Sequence, residues 1–149
     1  MTVKVVIDTN IWVSALINPF GFPAKLRKAF EQGLFQPVIS ESMIEELVEV
    51  LKRQKIKDKY EITEEDIRDL VLLIEERSLP VLVSGSVKIC RDRDDDFIIE
   101  TAIVGEAQYL VTRDDDIKFD PALSSMLSEH GVTITTVSRF LSAITKVSQ

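Results

Sequence analysis

The chain has 149 residues, of which 45% are hydrophobic and 29% are charged, and its formal net charge at pH 7 is −7. This composition is typical of one soluble globular domain spanning residues 1–149, and the acidic balance disfavours nucleic-acid binding driven by overall charge alone. The chain has no apolar run long enough to span a bilayer, no signal peptide and a single cysteine, Cys90, so we expect a cytoplasmic protein without an internal disulfide.

The predicted elements alternate between strands and helices along the whole chain. In order they are strand 3–7, helix 9–17, helix 23–32, strand 35–39, helix 41–54, helix 64–77, edge strand 80–83, helix 94–106, strand 109–111, helix 121–130, strand 132–135 and helix 138–146. Ser40 is placed to cap the helix 41–54, and Thr63 with Asp66 resembles a capping box. Because the strands are too apolar to face water on either side, we predict an α/β fold with a mostly parallel sheet covered by helices.

Acidic side chains recur where the predicted strands end or the helices begin. Asp8 follows the first strand, Asp114 follows strand 109–111, and other acids open helix 94–106 or lie on helix 41–54, namely Asp92, Asp94, Asp95, Asp96, Glu45, Glu46 and Glu49. In parallel α/β sheets, ligands bind beyond the carboxyl ends of the strands, so these carboxylates could converge and then require cations to relieve their repulsion. Oxygen ligands without nearby His or Cys favour Mg²⁺ or Mn²⁺, and such a site suits the metal-assisted hydrolysis of a phosphodiester.

Each acid also has an ordinary structural interpretation. Asp8 alone could cap the next helix, the aspartate run could be a solvated helix start, Asp114 to Asp116 could form a turn, and the glutamates could be an exposed helix face. Their coincidence at one edge of the predicted sheet favours a functional site. Two neighbours support this interpretation, because Asn10 could contact a bound water or phosphate and Thr112 could hydrogen-bond a carboxylate.

Three segments in this order, VVIDTNIWVSAL, ISESMIEELVEVL and DRDDDFIIETAIVGEAQYLVTRDDDI, resemble a PIN-domain nuclease. The resemblance is closest to the toxin components of toxin–antitoxin pairs and extends from Val5 to about Phe140. It implies a three-layer α/β/α sandwich with a central parallel sheet and an acidic Mg²⁺ or Mn²⁺ site that hydrolyses RNA. It also implies an antitoxin protein and a second copy of the chain as candidate partners.

The resemblance assigns the metal site residue by residue. The catalytic and metal-binding set is Asp8, Glu46, Asp95 and Asp114, with Asp96 as a further metal ligand. Glu46 is selected because it precedes a leucine, but Glu45 stays an alternative, and Asp96 competes with Asp95 for the third position. The auxiliary or substrate-binding residues are Asn10, Thr112, Arg113 and Asp116.

Contact with RNA requires positive charge, and the stretch LKRQKIKDKY, residues 51–60, supplies much of it. These lysines could equally complement a helix C-terminus, so Arg113, between Thr112 and Asp114, is the more interesting candidate. We expect Trp12, Phe20 and Phe22 to pack in the core or between helices and not to form a base-stacking platform. The resemblance also allows that they line a groove for an antitoxin helix.

Two further functions stay open at this point. The chain could be a non-catalytic interaction module of the same fold, or a housekeeping nuclease that processes RNA.

Overall fold

A computed structural model describes residues 2–85, 93–113 and 120–147, without the side chains of residues 54, 93–95, 146 and 147. Strands and helices alternate within these ranges. The strands are β1 (Lys4–Ile7), β2 (Gln36–Ser40), β3 (Leu79–Val81), β4 (Tyr109–Val111) and β5 (Thr133–Thr135). The helices are α1 (Thr9–Ile17), α2 (Phe22–Glu31), α3 (Glu41–Leu51), α4 (Gln54–Tyr60), α5 (Glu64–Arg77), α6 (Arg93–Val104), α7 (Pro121–Glu129) and α8 (Val137–Val147).

The five strands form one sheet in the order β3-β2-β1-β4-β5, and every neighbouring pair is parallel. The α/β prediction is therefore confirmed, and the helices flank this sheet as in a three-layer sandwich. The central strand β1 carries Val5 and Val6, both fully buried, which explains why its sequence is a continuous apolar run. Since β1 lies between β2 and β4, the carboxyl ends of these three strands are adjacent. We call this edge, with Asp8, Ser40 and Thr112, the rim.

The predicted long helix 41–54 is wrong at its C-terminal end. Helix α3 ends at Leu51, and a separate short helix, α4, begins at Gln54. The apolar spacing explains the break, because Met43, Leu47 and Leu51 are buried four residues apart, whereas Ile56, which packs against the core, comes five residues after Leu51. A continuous helix would turn Ile56 well away from that buried face, so the chain changes direction at residues 52–53.

The capping box at the start of α5 is confirmed. The Thr63 backbone N–H donates to Asp66 Oδ2 and the Asp66 N–H donates to Thr63 Oγ1, both at 3.0 Å. These hydrogen bonds to Thr63 lower the pKa of Asp66 below its ordinary value. Nearby, the ammonium of Lys57 hydrogen-bonds Glu64 and lowers the pKa of that carboxyl, which ties α4 to α5.

The aromatic residues divide between the core and the surface. Trp12 is buried against Phe30, with ring centroids 5.3 Å apart, so the expectation of core packing is confirmed for Trp12. The same expectation is wrong for Phe20 and Phe22, which are 89% and 52% exposed. Phe20 lies in the short connection between α1 and α2, where no neighbouring layer covers it. Within the described parts of the chain, no helix combines the length and apolarity needed to cross a membrane.

Candidate active site

Asp8 lies at the carboxyl end of the central strand and is only 5% exposed. Its N–H extends the strand pairing by donating to the carbonyl of Val111 at 3.0 Å. One side-chain oxygen, Oδ1, accepts from the Asn10 N–H at 3.3 Å, so Asp8 is the N-cap of α1, while Oδ2 accepts from Thr112 Oγ1 at 2.9 Å. The carboxylate is thus held from both sides, and the capping interpretation and a site interpretation are compatible.

Thr101 of α6 contacts the rim at Ser40, the residue at the carboxyl end of β2. Thr101 Oγ1 and Ser40 Oγ are hydrogen-bonded at 2.9 Å, and both residues are buried. Ser40 occupies the N-cap position of α3, but its side chain makes no capping hydrogen bond. The prediction that its hydroxyl caps the helix is therefore wrong, because the hydroxyl is engaged across the fold by Thr101.

Helix α6 brings acids to the rim. It packs against β1, β2 and α3, and its C-terminal end leads into β4 through Gln108, whose N–H donates to Lys4 O at the opposite end of β1. The N-terminal turn of α6 therefore lies on the rim side. Asp96 lies five residues before Thr101, about 7.5 Å closer to the N-terminus along the helix axis, and is 7% exposed.

Glu100 is a buried acid of α6 that sequence reasoning missed. It is 3% exposed and accepts hydrogen bonds from the backbone N–H groups of Ser84 and Gly85, the latter at 3.0 Å to Oε1. These bonds fasten the chain that leaves the edge strand β3 to the rim side of α6. The available sequence signal was a single charged residue inside the mostly apolar stretch FIIETAIV, where burial demands a hydrogen-bond partner.

The glutamates of α3 differ in their burial. Glu46 is half-buried, whereas Glu45 and Glu49 are exposed, and Glu49 lies 4.0 Å from Arg53 in a surface ion pair. Helix α3, which carries Glu46, contacts both α1, which follows Asp8, and α6, which carries Asp96.

Some of the remaining predicted site residues lie within the described part of the chain and others do not. Asp95 lies in the first turns of α6, but its side chain is outside the described residues, as are Asp114 and Asp116 entirely. Asn10 is exposed on the first turn of α1. Arg113 directly follows Thr112 and donates from Nη1 to Ser14 Oγ at 3.1 Å.

The donor chemistry of the rim fits a hard divalent cation. The carboxylates of Asp8, Glu46 and Asp96 provide oxygen ligands only, as Mg²⁺ and Mn²⁺ prefer. Among the described side chains, no group of three or more His, Cys, Asp or Glu is placed to hold a metal ion, so these three residues do not form a complete site by themselves. The side chains of two ligands expected from the sequence, Asp95 and Asp114, lie outside the described residues.

The buried hydroxyl of Thr9, next to Asp8, differs from those of Thr112 and Thr101 in its hydrogen bonding. Thr9 is 1% exposed, and its Oγ1 has no hydrogen-bond partner within the described portion of the chain. An unsatisfied buried hydroxyl is destabilising, so Thr9 offers a natural contrast to the two bonded threonines.

Comparison of the sequence with known proteins assigns the chain to a family. The family model described as PIN domain matches residues 4–116, which contain β1 to β4 and the rim. The chain is also similar to an uncharacterized protein of Methanocaldococcus jannaschii, with 31% identity over 115 residues, covering 77% of this chain and 73% of that protein.

Proposed function

The chain belongs to the PIN-domain family, and from that premise we propose that it is a nuclease that hydrolyses RNA with the help of Mg²⁺ or Mn²⁺. Proteins of this family are generally metal-dependent nucleases. The finer elements, namely the RNA substrate and the choice of metal, are our proposal.

One observation carries the proposal. Asp8 is a buried carboxylate at the carboxyl end of the central strand, and its two oxygens are oriented by Asn10 N–H and Thr112 Oγ1. Burying a charged group in a fixed orientation is costly for stability, so its presence at the ligand-binding edge of a parallel sheet supports a functional role.

The residues that would hold the cation are Asp8, Glu46, Asp95 and Asp114, with Asp96 as an additional ligand. A divalent cation bound there supplies Lewis acidity, which activates water for attack on phosphorus and offsets the charge that develops on the phosphate. The protein contributes orientation, because Thr112 fixes the carboxylate of Asp8 and Thr101 fixes the end of β2 against α6. In this reaction the new bond joins water oxygen to phosphorus, the P–O3′ bond breaks, and the 3′ oxygen leaves with a proton.

The test is cleavage of a labelled single-stranded RNA in the presence of Mg²⁺, Mn²⁺ or EDTA. We expect cleavage with either metal and none with EDTA, and we expect products that carry 5′-phosphate and 3′-hydroxyl ends. Cleavage that persists in EDTA would contradict the proposal because it needs no metal. Products with 2′,3′-cyclic phosphates would also contradict it, because they show that the RNA 2′-hydroxyl, and not water, attacks phosphorus.

The same experiment separates the enzyme from a non-catalytic interaction module. Binding of RNA without cleavage under every metal condition would favour the module. A toxin role, an antitoxin partner and self-association stay predictions.

A further inference from the structure

A cleft of about 650 Å³ opens beside the rim. It lies between the C-terminal half of α1, the N-terminal ends of α2 and α8, and the end of α4. Its lining includes Ser14, Phe22, Tyr60, Arg113, Thr136 and Ser138. No acidic residue is among its described lining residues, although the chain as a whole has a net charge of −7.

We propose that this cleft binds one nucleotide of single-stranded RNA next to the cleaved bond, with Arg113 at a phosphate and the rings of Phe22 and Tyr60 available for base stacking. The inference rests on the proposed function for the identity of the strand as substrate. The recognition chemistry itself comes from the cleft.

Local charge favours an anion in the cleft. The guanidinium of Arg113 lines it, and the N-terminal ends of α2 and α8 present their positive dipole ends to it. Helix α2 begins after Gly21 without any side-chain capping hydrogen bond. Two lysines add to the positive field, since Lys25 Nζ lies 5.0 Å from the ring centroid of Phe22 and Lys59 Nζ lies 5.3 Å from that of Tyr60.

The two aromatic side chains that line the cleft, Phe22 and Tyr60, are both exposed to solvent. Phe22 is 52% exposed and Tyr60 is 38% exposed, and both line the cleft. Aromatic side chains beside a positively charged groove are the usual platform for unpaired bases, because every base offers a face for stacking. Phe20 is even more exposed but does not line the cleft, so it provides a matched control.

The cleft is continuous with the rim. Arg113 is the next residue after Thr112, which hydrogen-bonds Asp8, and Arg113 also hydrogen-bonds Ser14. Ser14 is six residues beyond Asp8, about 9 Å along the axis of α1, which is within reach of a nucleotide neighbouring a phosphate held at the rim.

The size of the cleft and the depression next to it also fit an RNA strand that continues beyond the bound nucleotide. The cleft volume falls within the range of about 300–1,000 Å³ that is typical of small-molecule sites. An adjoining depression of about 450 Å³ shares Phe22 and Ser138 with the cleft and adds Arg139. Arg139 thus adds a further cation on this path, where the next phosphate of a bound strand would lie.

The experiment measures equilibrium binding of a fluorescent single-stranded oligoribonucleotide in EDTA, so that no cleavage occurs. The variants are Phe22→Ala, Phe22→Leu, Tyr60→Ala and Arg113→Gln, with Phe20→Ala as the control. We expect each loss of a cleft ring to weaken binding about tenfold, and Phe20→Ala to leave it unchanged. Arg113→Gln should reduce the slope of log affinity against log salt by about 0.7, the value for one phosphate contact on a single strand.

Phe22→Leu keeps an apolar side chain and removes only the ring, so a loss of binding in both Phe22 variants, with unchanged melting temperatures, supports stacking. The inference is overturned if the Phe22 and Tyr60 variants bind like Phe20→Ala, or if an RNA duplex binds the wild type as tightly as the single strand. Either result would leave the cleft as a surface for another class of partner, such as a protein segment.

Failure of the inference and failure of the proposed function give different results. If the wild type binds single-stranded RNA through the cleft but cuts no RNA when metal is added, the proposed function fails, and the cleft stands as an RNA-binding site without a cleavage site beside it. If the wild type cuts RNA and the cleft variants bind normally, the inference fails and the proposed function stands.

Discussion

The rim and the cleft are neighbours with opposite chemistry. At the rim, Asp8 and Asp96 are buried carboxylates, and Asp8 is fixed by hydrogen bonds from two elements. In the cleft, Phe22, Tyr60 and Arg113 are exposed, and the lining contains a cation and two helix N-termini. The two regions meet at adjacent residues, since Thr112 hydrogen-bonds the acid Asp8 at the rim and the cation Arg113 lines the cleft.

This difference indicates a division of labour. Acids that converge on one site require a cation, and the rim residue Asp8 is a candidate ligand, whereas an exposed aromatic and cationic cleft favours a nucleic-acid strand. An acidic protein can therefore bind RNA, because local fields and not the net charge act on the strand. Substitutions at the rim should change catalysis or stability, while substitutions in the cleft should change affinity.

The largest expected effect is that of Asp8→Asn on activity. The amide keeps an oxygen that can accept from Thr112 Oγ1, so we expect a folded protein, but the charge that would hold a cation is lost. RNA cleavage with Mn²⁺ should fall by more than about 100-fold, since even residues that only orient ligands contribute about 10- to 100-fold. The cleavage rate and the melting temperature are measured together, and near-normal cleavage by a folded variant would contradict a role for Asp8.

Thr112→Val should have the next largest effect. The valine removes the donor to Asp8 Oδ2 in a fully buried position. We expect a 10- to 100-fold loss of activity and a loss of about 1.5–3 kcal/mol in the free energy of unfolding, typical of a hydrogen bond to a charged group.

Thr112→Ser restores the hydroxyl and is the control. It should recover most of the activity that Thr112→Val loses. If serine and valine are equally impaired, then packing and not the hydrogen bond explains the effect.

A smaller effect is expected on the free energy of unfolding, and it should differ between the two other buried threonines near the rim, Thr101 and Thr9. Thr101→Val leaves Ser40 Oγ without its partner and should lower the free energy of unfolding by about 1–3 kcal/mol. Thr9→Val should be neutral or stabilising, because Thr9 Oγ1 makes no hydrogen bond among the described residues. Chemical denaturation measures both variants, and equal losses would show that side-chain shape outweighs hydrogen bonding at the rim.

The smallest effect lies outside both regions, at the capping box of α5. The pKa of Asp66 is lowered from 3.8 by its hydrogen bonds to Thr63, so its contribution to stability is complete above pH 3.8 and is lost as the pH falls through the lowered value. Asp66→Asn should therefore melt slightly below the wild type at neutral pH, and the difference should shrink in acid. A difference that grows in acid would contradict this sign, and RNA cleavage at neutral pH should be unchanged.

Local patterns predicted the elements whose signals lie within a few residues. Helix α1 and strand β4 have the predicted bounds, Thr9–Ile17 and Tyr109–Val111, because an acid or polar residue borders each apolar run. The capping box of Thr63 and Asp66 was also predictable, since both partners lie three residues apart.

Contacts between distant parts of the chain were not predictable from one sequence. The hydroxyl of Ser40 is engaged by Thr101, 61 residues away, instead of capping α3. Glu100 holds a loop about 15 residues earlier, and nothing in the local pattern named that partner. Likewise, apolar character alone did not distinguish the exposed Phe22 from the buried Trp12.

The candidate site was predicted in part from strand ends and in part from resemblance. Strand ends placed Asp8 and Thr112 at one edge, and the structure joins them by a hydrogen bond. The choice of Glu46, Asp95 and Asp114 as metal ligands came from the resemblance and stays a prediction.

Melting temperatures of the wild type and Asp8→Asn during a Mn²⁺ titration test directly whether the rim holds a cation. At a metal concentration about 100 times the dissociation constant, binding should stabilise the wild type by about 2.7 kcal/mol, which raises its melting temperature by several degrees. Asp8→Asn should show little or no rise. An equal rise in both proteins, or no rise in the wild type, would contradict a cation site at Asp8.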